Sequence, residues 1–149
     1  MNMKKHTRLL ALLLCLLCVA ALFAACRKPS AEPTGTLAPP VTNDGNTPAL
    51  RGEGKTAFFL TVTDQDGTQT KFEIRTDEET LADALTKVGL VSGEDSQYGL
   101  YIKVVNGITA DYDVDQTYWS LLVNGEVSSV GASSVTVTAG MQVELKKEK

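Results

Sequence analysis

From residue 58 onward the apolar side chains fall into short runs of period two, and one stretch breaks that rhythm. Phe58, Leu60 and Val62 alternate with Phe59, Thr61 and Thr63, and Phe72 and Ile74 alternate with Lys71, Glu73 and Arg75. Met141, Val143 and Leu145 alternate in the same way with Gln142, Glu144 and Lys146. A period of two is what a strand with one buried face requires. Leu81, Ala84, Leu85 and Val88 recur instead at helical spacing, over about three turns. A chain patterned like this has several strands to pair and one helix with which to cover them.

Turn chemistry separates the runs. Asp64-Gln65-Asp66-Gly67 joins the first two strands as a hairpin. Thr76-Asp77-Glu78-Glu79 has the arrangement of a capping box with acidic residues in the first turn, and Gly89, followed by Leu90, fits a helix stop. Residues 100–105 and 118–123 are rich in strand formers and end at Asn106-Gly107 and Asn124-Gly125. Val135 and Val137 alternate with Ser134, Thr136 and Thr138 before a turn at Ala139-Gly140. The order is strand, strand, helix, then three or four strands. It predicts an α+β domain at 56–149, a β-grasp-like mixed sheet with one covering helix.

The region before that domain has a different grammar. Lys4, Lys5 and Arg8 precede an apolar run over residues 9–23, and Ala24 and Ala25 lead into Cys26. The run is short for a membrane span of about 20 residues and reads as a secretory leader, residues 1–25. Leu22-Phe23-Ala24-Ala25-Cys26 resembles a bacterial lipobox, which implies that Cys26 becomes a lipidated N-terminus (palmitate among its acyl chains) on the extracytoplasmic face of the cell membrane. All five prolines lie between residues 29 and 48. That composition cannot bury enough apolar surface to offset its ordering entropy, so residues 26–55 are expected to be a lipid-anchored, disordered tether.

Beyond Cys26 the available chemistry is narrow. His6 is the chain's single histidine and Cys26 the last of its three cysteines, so residues 27–149 offer no nucleophile–base pair and no Cys/His metal site. Asp111, Asp113 and Asp115 have the opening of a calcium loop, but Gln116 and Leu122 stand where its glycine and glutamate belong. They are read as an acidic solvated loop. Loss of the leader removes Lys4, Lys5 and Arg8 and no acid, taking the net charge from −4 to −7. Without a basic stripe, that charge argues against nucleic acid. No catalytic residue, metal or required cofactor is expected, and the chain is not expected to be an enzyme.

A binding surface is the remaining expectation, and it centres on the only tryptophan. Alternation puts Trp119, Leu121 and Val123 on one face of their strand and Tyr118, Ser120 and Leu122 on the other. One aromatic therefore faces the core and the other faces outward.

Tyr118-Trp119-Ser120-Leu121-Leu122, followed by Ala139-Gly140-Met141-Gln142-Val143-Glu144-Leu145, resembles the C-terminal domain of transcobalamin and intrinsic factor. Gly99-Leu100-Tyr101-Ile102 and Val105-Asn106-Gly107-Ile108 extend the resemblance, which covers roughly residues 58–147. The family is the transcobalamin-like C-terminal domain, widespread in bacterial surface lipoproteins. It implies a surface-anchored protein that binds cobalamin or another corrinoid by apolar and peripheral polar contacts. Tyr101, Tyr118, Trp119, Ser120 and Leu121 would lie nearest the ligand. The large helical domain that completes the site in the animal carriers is absent from this sequence, so binding is expected to be weak unless a partner supplies the other face. A different class of function fits the same residues: a protein-interaction or adhesion module that docks a surface or transport protein by its sheet edge or aromatic face.

Overall fold

The computed structural model describes residues 37–43 and 47–149; the expected leader and Cys26 lie outside the described residues. In chain order the strands are β1 (Ala49–Arg51), β2 (Thr56–Thr63), β3 (Gln69–Thr76), β4 (Val91–Ser96), β5 (Gly99–Val105), β6 (Ile108–Thr109), β7 (Tyr118–Val123), β8 (Glu126–Val127) and β9 (Gln142–Glu148). Helix α1 (Leu81–Lys87) follows β3, a four-residue helix α2 (Tyr112–Asp115) precedes β7, and a 3-10 turn spans Ala132–Ser134. The fold is α+β, dominated by strands in two sheets. Among the described residues no helix is long and apolar enough to cross a membrane.

The larger sheet has six strands in the order β1-β3-β2-β9-β7-β8. β2 and β3 form the expected hairpin, and Gly67 adopts φ +87 in its turn. The last strand, β9, enters the middle of the sheet, parallel to β2 and antiparallel to β7. Phe58, Leu60, Val62, Phe72, Ile74, Val143 and Leu145 are all buried, and they share one cluster with Leu81, Ala84 and Leu85 of α1. Each large side chain buried there stabilises the fold by about 1.5–3 kcal/mol relative to exposure.

Both Asn-Gly turns form as expected. Asn106 and Gly107 (φ 49 and 78) join β5 to β6, and Asn124 and Gly125 (φ 52 and 87) join β7 to β8. Two-residue hairpins of type I′ need positive φ at both central positions, which Asn-Gly tolerates best.

Four expectations are corrected. The helix starts four residues later than Thr76: Thr80 is its N-cap, its hydroxyl accepting from Asp83 N at 3.2 Å. Thr76 belongs to β3, and α1 is two turns long. At the other end Gly89 N donates to Thr86 O and Leu90 N to Leu85 O, the paired bonds of a Schellman stop.

Residues 134–138 do not form a strand. Leu81 N donates to Val135 O and Val137 N to Glu79 O, so this segment seals the start of α1 and pairs through a single bridge, Thr80 with Thr136. Val135 and Val137 still pack against the core, which is why they alternate.

The strands after α1 do not all join one sheet. β4, β5 and β6 form a separate three-stranded sheet linked by local hairpins.

The expected tether enters the fold before residue 55. β1 pairs in parallel with β3, Ala38 N donates to Gly89 O at 2.9 Å, and the Asn43 amide exchanges bonds with the Lys71 backbone at 2.7 and 3.3 Å. Backbone partners on the domain offset an ordering cost that the segment's own side chains do not cover.

Candidate functional site

β7 is the strand that meets the second sheet. Alternation turns Trp119, Leu121 and Val123 toward the core, where all three are half-buried. Trp119 reaches furthest, and its indole Nε1–H donates to the carbonyl of Lys103 on β5 at 3.2 Å. The same carbonyl accepts from Ala110 N at 2.8 Å. One backbone oxygen thus ties together the two sheets and the loop leading to α2.

Lys103 occupies that place because β4 and β5 are out of register there. Ser92 pairs with Val104 and Gly93 with Ile102, leaving Lys103 as the extra residue of a bulge. A Cβ on Gly93 would lie 1.8 Å from Tyr101 O, so the close approach of the strands requires glycine.

The Lys103 ammonium spans two carboxylates, Glu94 at 2.9 Å and Asp111 at 3.3 Å. The bond to Glu94, then that to Asp111, raises the Lys103 pKa above its ordinary value, so the side chain is a cation at any physiological pH. Asp111 also caps α2, accepting from Asp113 N at 3.0 Å. Asp115 accepts from Thr117 N and Oγ1, and the hydroxyl bond chiefly lowers its pKa. Asp111 and Asp115 are therefore engaged in capping, ion-pair and turn bonds, and among the described residues no three His, Cys, Asp or Glu side chains gather to hold a metal ion.

The five candidate residues divide between two surfaces. Trp119 and Leu121 face inward. Tyr101 stands 43% exposed on β5, opposite Glu94 and two residues from the Lys103 carbonyl that Trp119 holds. Trp119 and Tyr101 are linked through the Lys103 backbone at the joint between the sheets, Leu121 packs on the core, and Tyr112 adds an exposed ring next to Asp111.

Tyr118 and Ser120 face the opposite side of the six-stranded sheet. There they interact with Glu148, whose carboxylate is held below its ordinary pKa first by Lys146 and to a smaller extent by Ser120 and Tyr118. The fold does not bring Tyr118 and Ser120 together with Tyr101.

A cleft of about 650 Å³ lies elsewhere, lined by Gly52, Glu53, Gly54, Asp77, Lys87 and Val88, and none of the five candidates borders it. Lys103, Glu94 and Tyr112 were not singled out by the sequence, and Asp111 was read there only as part of an acidic loop. The one signal for Lys103 is a cation in the middle of an otherwise apolar strand.

Comparison with known proteins gives two kinds of likeness. Residues 78–149 match a protein family described as a domain of unknown function (DUF4430). Among solved structures, a protein from Ruminococcus gnavus described as a "putative metal binding protein" is 34% identical, with a TM-score of 0.60. The alignment covers 64% of this chain and 98% of that one. Haptocorrin in complex with Cbi superposes with a TM-score of 0.53 at 24% identity, a likeness of fold alone. It covers 63% of this chain, which spans 25% of the haptocorrin chain. No curated protein matches.

Proposed function

The chain belongs to one family with the Ruminococcus gnavus protein and carries the DUF4430 domain, and from that premise we propose that it is a non-catalytic, surface-anchored binding protein for a corrinoid. The observation that carries this reading is the joint between the sheets. It presents an exposed aromatic, Tyr101, on a strand fixed from behind by Trp119 and flanked by the Glu94–Lys103–Asp111 network. A flat apolar ligand with polar edges suits an aromatic face beside charged hydrogen-bonding groups. The shared fold with haptocorrin, a transcobalamin-family protein, supports the ligand class. The central parallel pair of β2 and β9, with α1 on the core side, supports a β-grasp-like classification. Metal binding is not carried over from the Ruminococcus gnavus protein, because no residue cluster among those described favours it.

Tyr101 is retained as a ligand-side residue, with Tyr112 and Lys103 added; Trp119 and Leu121 act from the core side, and Tyr118 and Ser120 lie on the other face of the large sheet. A single surface covers one face of a corrin, so binding is weak, about micromolar or poorer, unless a partner supplies the second face. The test is titration of residues 37–149 with cobalamin, read by absorbance-corrected Trp119 fluorescence and by calorimetry. Tyr101→Ala is expected to weaken binding about tenfold, the loss of roughly 1.4 kcal/mol, while Tyr118→Ala leaves it unchanged. No heat and no corrected quenching at millimolar ligand would refute direct binding.

The anchor is tested separately. A fatty-acid probe should label the protein in cells and fail to label Cys26→Ala; equal labelling of both would refute lipidation at Cys26. A second reading, docking of a surface or transport protein, rests on the exposed apolar side chains Tyr98, Val127 and Val130. Saturable capture of such a protein by the domain, lost in Tyr98→Ala, would favour it.

A further inference from the structure

The segment expected to be a tether does something more specific than join the sheet. At residue 41 it contacts the small sheet. The Asn106 side chain accepts from Val41 N at 2.9 Å and donates to Val41 O at 2.8 Å, so one amide pairs with both polar groups of a backbone unit. Asn106 is only 6% exposed and has φ 49, and its own N–H donates to Leu90 O at 2.8 Å. Next to it a Cβ on Gly107 would lie 2.5 Å from Pro40 Cγ, so the proline ring sits directly on the hairpin turn. Two residues after Val41, Asn43 makes the equivalent two-way contact with Lys71 of β3, in the large sheet. Farther along, β1 continues down the same strand, pairing with residues 72–74.

The same segment thus grips the end of β5 and the edge of β3. Asn106 lies three residues beyond Lys103, whose carbonyl is the other tie between the sheets. The two ties act on one hairpin: Trp119 holds its middle and residues 40 and 41 hold its turn. We propose that residues 37–43, together with β1 (Ala49–Arg51), act as a strap that closes the joint between the two sheets, and that its seat on Asn106 controls how often the Lys103–Trp119 contact opens. In the folded chain, the segment nearest the expected anchor would then govern the rigidity of the Tyr101 surface. The strap rests on the geometry alone; only its effect on a ligand rests on the proposed corrinoid site.

The test compares the intact chain with Asn106→Gly and Ala38→Pro by amide hydrogen exchange and Trp119 emission. Glycine keeps the positive φ at 106 without strain while removing the amide. Proline at 38 removes the N–H that bonds Gly89 O and holds residues 37 and 38 in extended backbone, leaving the Val41–Asn106 pair itself in place. With the Val41 pair lost, exchange at Ala110 N, which reads the Lys103 carbonyl, should speed up about tenfold or more, and Trp119 emission should shift to the red. The amides of β2, at the centre of the large sheet, should exchange as before. Ala38→Pro should produce the same pattern more weakly.

Unchanged exchange at Ala110 in Asn106→Gly overturns the proposal. So does equal acceleration at Ala110 and in β2, because that is global destabilisation and not opening of a joint. Neither readout requires a ligand, so failure of cobalamin to bind leaves the strap standing, and failure of the strap leaves cobalamin binding to be judged by its own titration.

Discussion

Trp119→Phe isolates the hydrogen bond that joins the sheets, because phenylalanine keeps an aromatic ring on the same half-buried face and removes the indole N–H. The bond is 3.2 Å long, and its acceptor, the Lys103 carbonyl, keeps a second donor in Ala110 N at 2.8 Å. No buried acceptor is orphaned, so the polar loss is the net worth of one ordinary bond, about 0.5–1.5 kcal/mol. The smaller ring also leaves part of the joint unfilled, which costs about a further 0.5–1 kcal/mol for a half-buried site. The sum, about 1–2.5 kcal/mol, corresponds to a fall in Tm of roughly 4–12 °C for a domain of this size.

The assay is thermal and urea denaturation followed by circular dichroism, which does not depend on the lost fluorophore. Tyr118→Phe is the control. Tyr118 is 39% exposed on the opposite face, and its substitution should stay within about 0.5 kcal/mol of the parent. Equal effects at 118 and 119 would refute the assignment of the two faces. A Trp119→Phe variant as stable as the parent would show that the joint is not held by this bond.

Thr80→Ala removes the helix N-cap and should cost about 1 kcal/mol, whereas Thr76→Ala, judged by capping alone, should cost less; the reverse order in urea denaturation would restore the earlier helix start. A chain beginning at residue 56 loses β1, the Val41–Asn106 pair and the Asn43–Lys71 pair, and should melt more than about 10 °C below one beginning at residue 37. Its bared β3 edge should also make it aggregate, which light scattering would detect. The pH dependence of stability has two sides. Asp115 and Glu148 have lowered pKa values in the fold, so what they contribute is present above their ordinary values of 3.8 and 4.5 and is lost as pH falls through the lower folded values. Lys103 is raised, so its contribution is complete below 10.5 and disappears only as pH rises through the higher folded value. Stability measured by denaturation should be flat between about pH 5 and 10 as far as these groups are concerned, and a step near neutrality assigned to Lys103 would contradict its ion pairs.

Much of the domain could be read locally. The buried faces of β2, β3 and β9 come from a side-chain period of two, which holds whatever a strand pairs with. Asn106-Gly107 and Asn124-Gly125 produced their hairpins because positive φ at two successive residues is a property of the dipeptide. Gly89 set the helix stop for the same reason. The start of the helix was not local. Thr76 and Thr80 are both competent caps, and the choice fell to Thr80 because β3 uses Thr76 and because Val135 and Val137, more than fifty residues later, bond to Leu81 and Glu79.

The candidate site divided in the same manner. Alternation correctly separated Trp119 and Leu121 from Tyr118 and Ser120, but only the tertiary structure shows that the first pair faces the core and that Trp119 reaches Lys103. Its bulge depends on the register of β4 against β5, and register across a hairpin is decided by packing on both faces. The proline-rich stretch is the clearest case. Its composition determines that it cannot build a core of its own, and that remains true. Whether it is ordered depends on acceptors and donors offered elsewhere, at Gly89, Asn106 and the Lys71 edge, and those come together only when the rest of the chain has folded. A sequence determines which faces of its elements seek burial; which backbone groups are left at an edge for another segment to bind is a property of the assembled sheets.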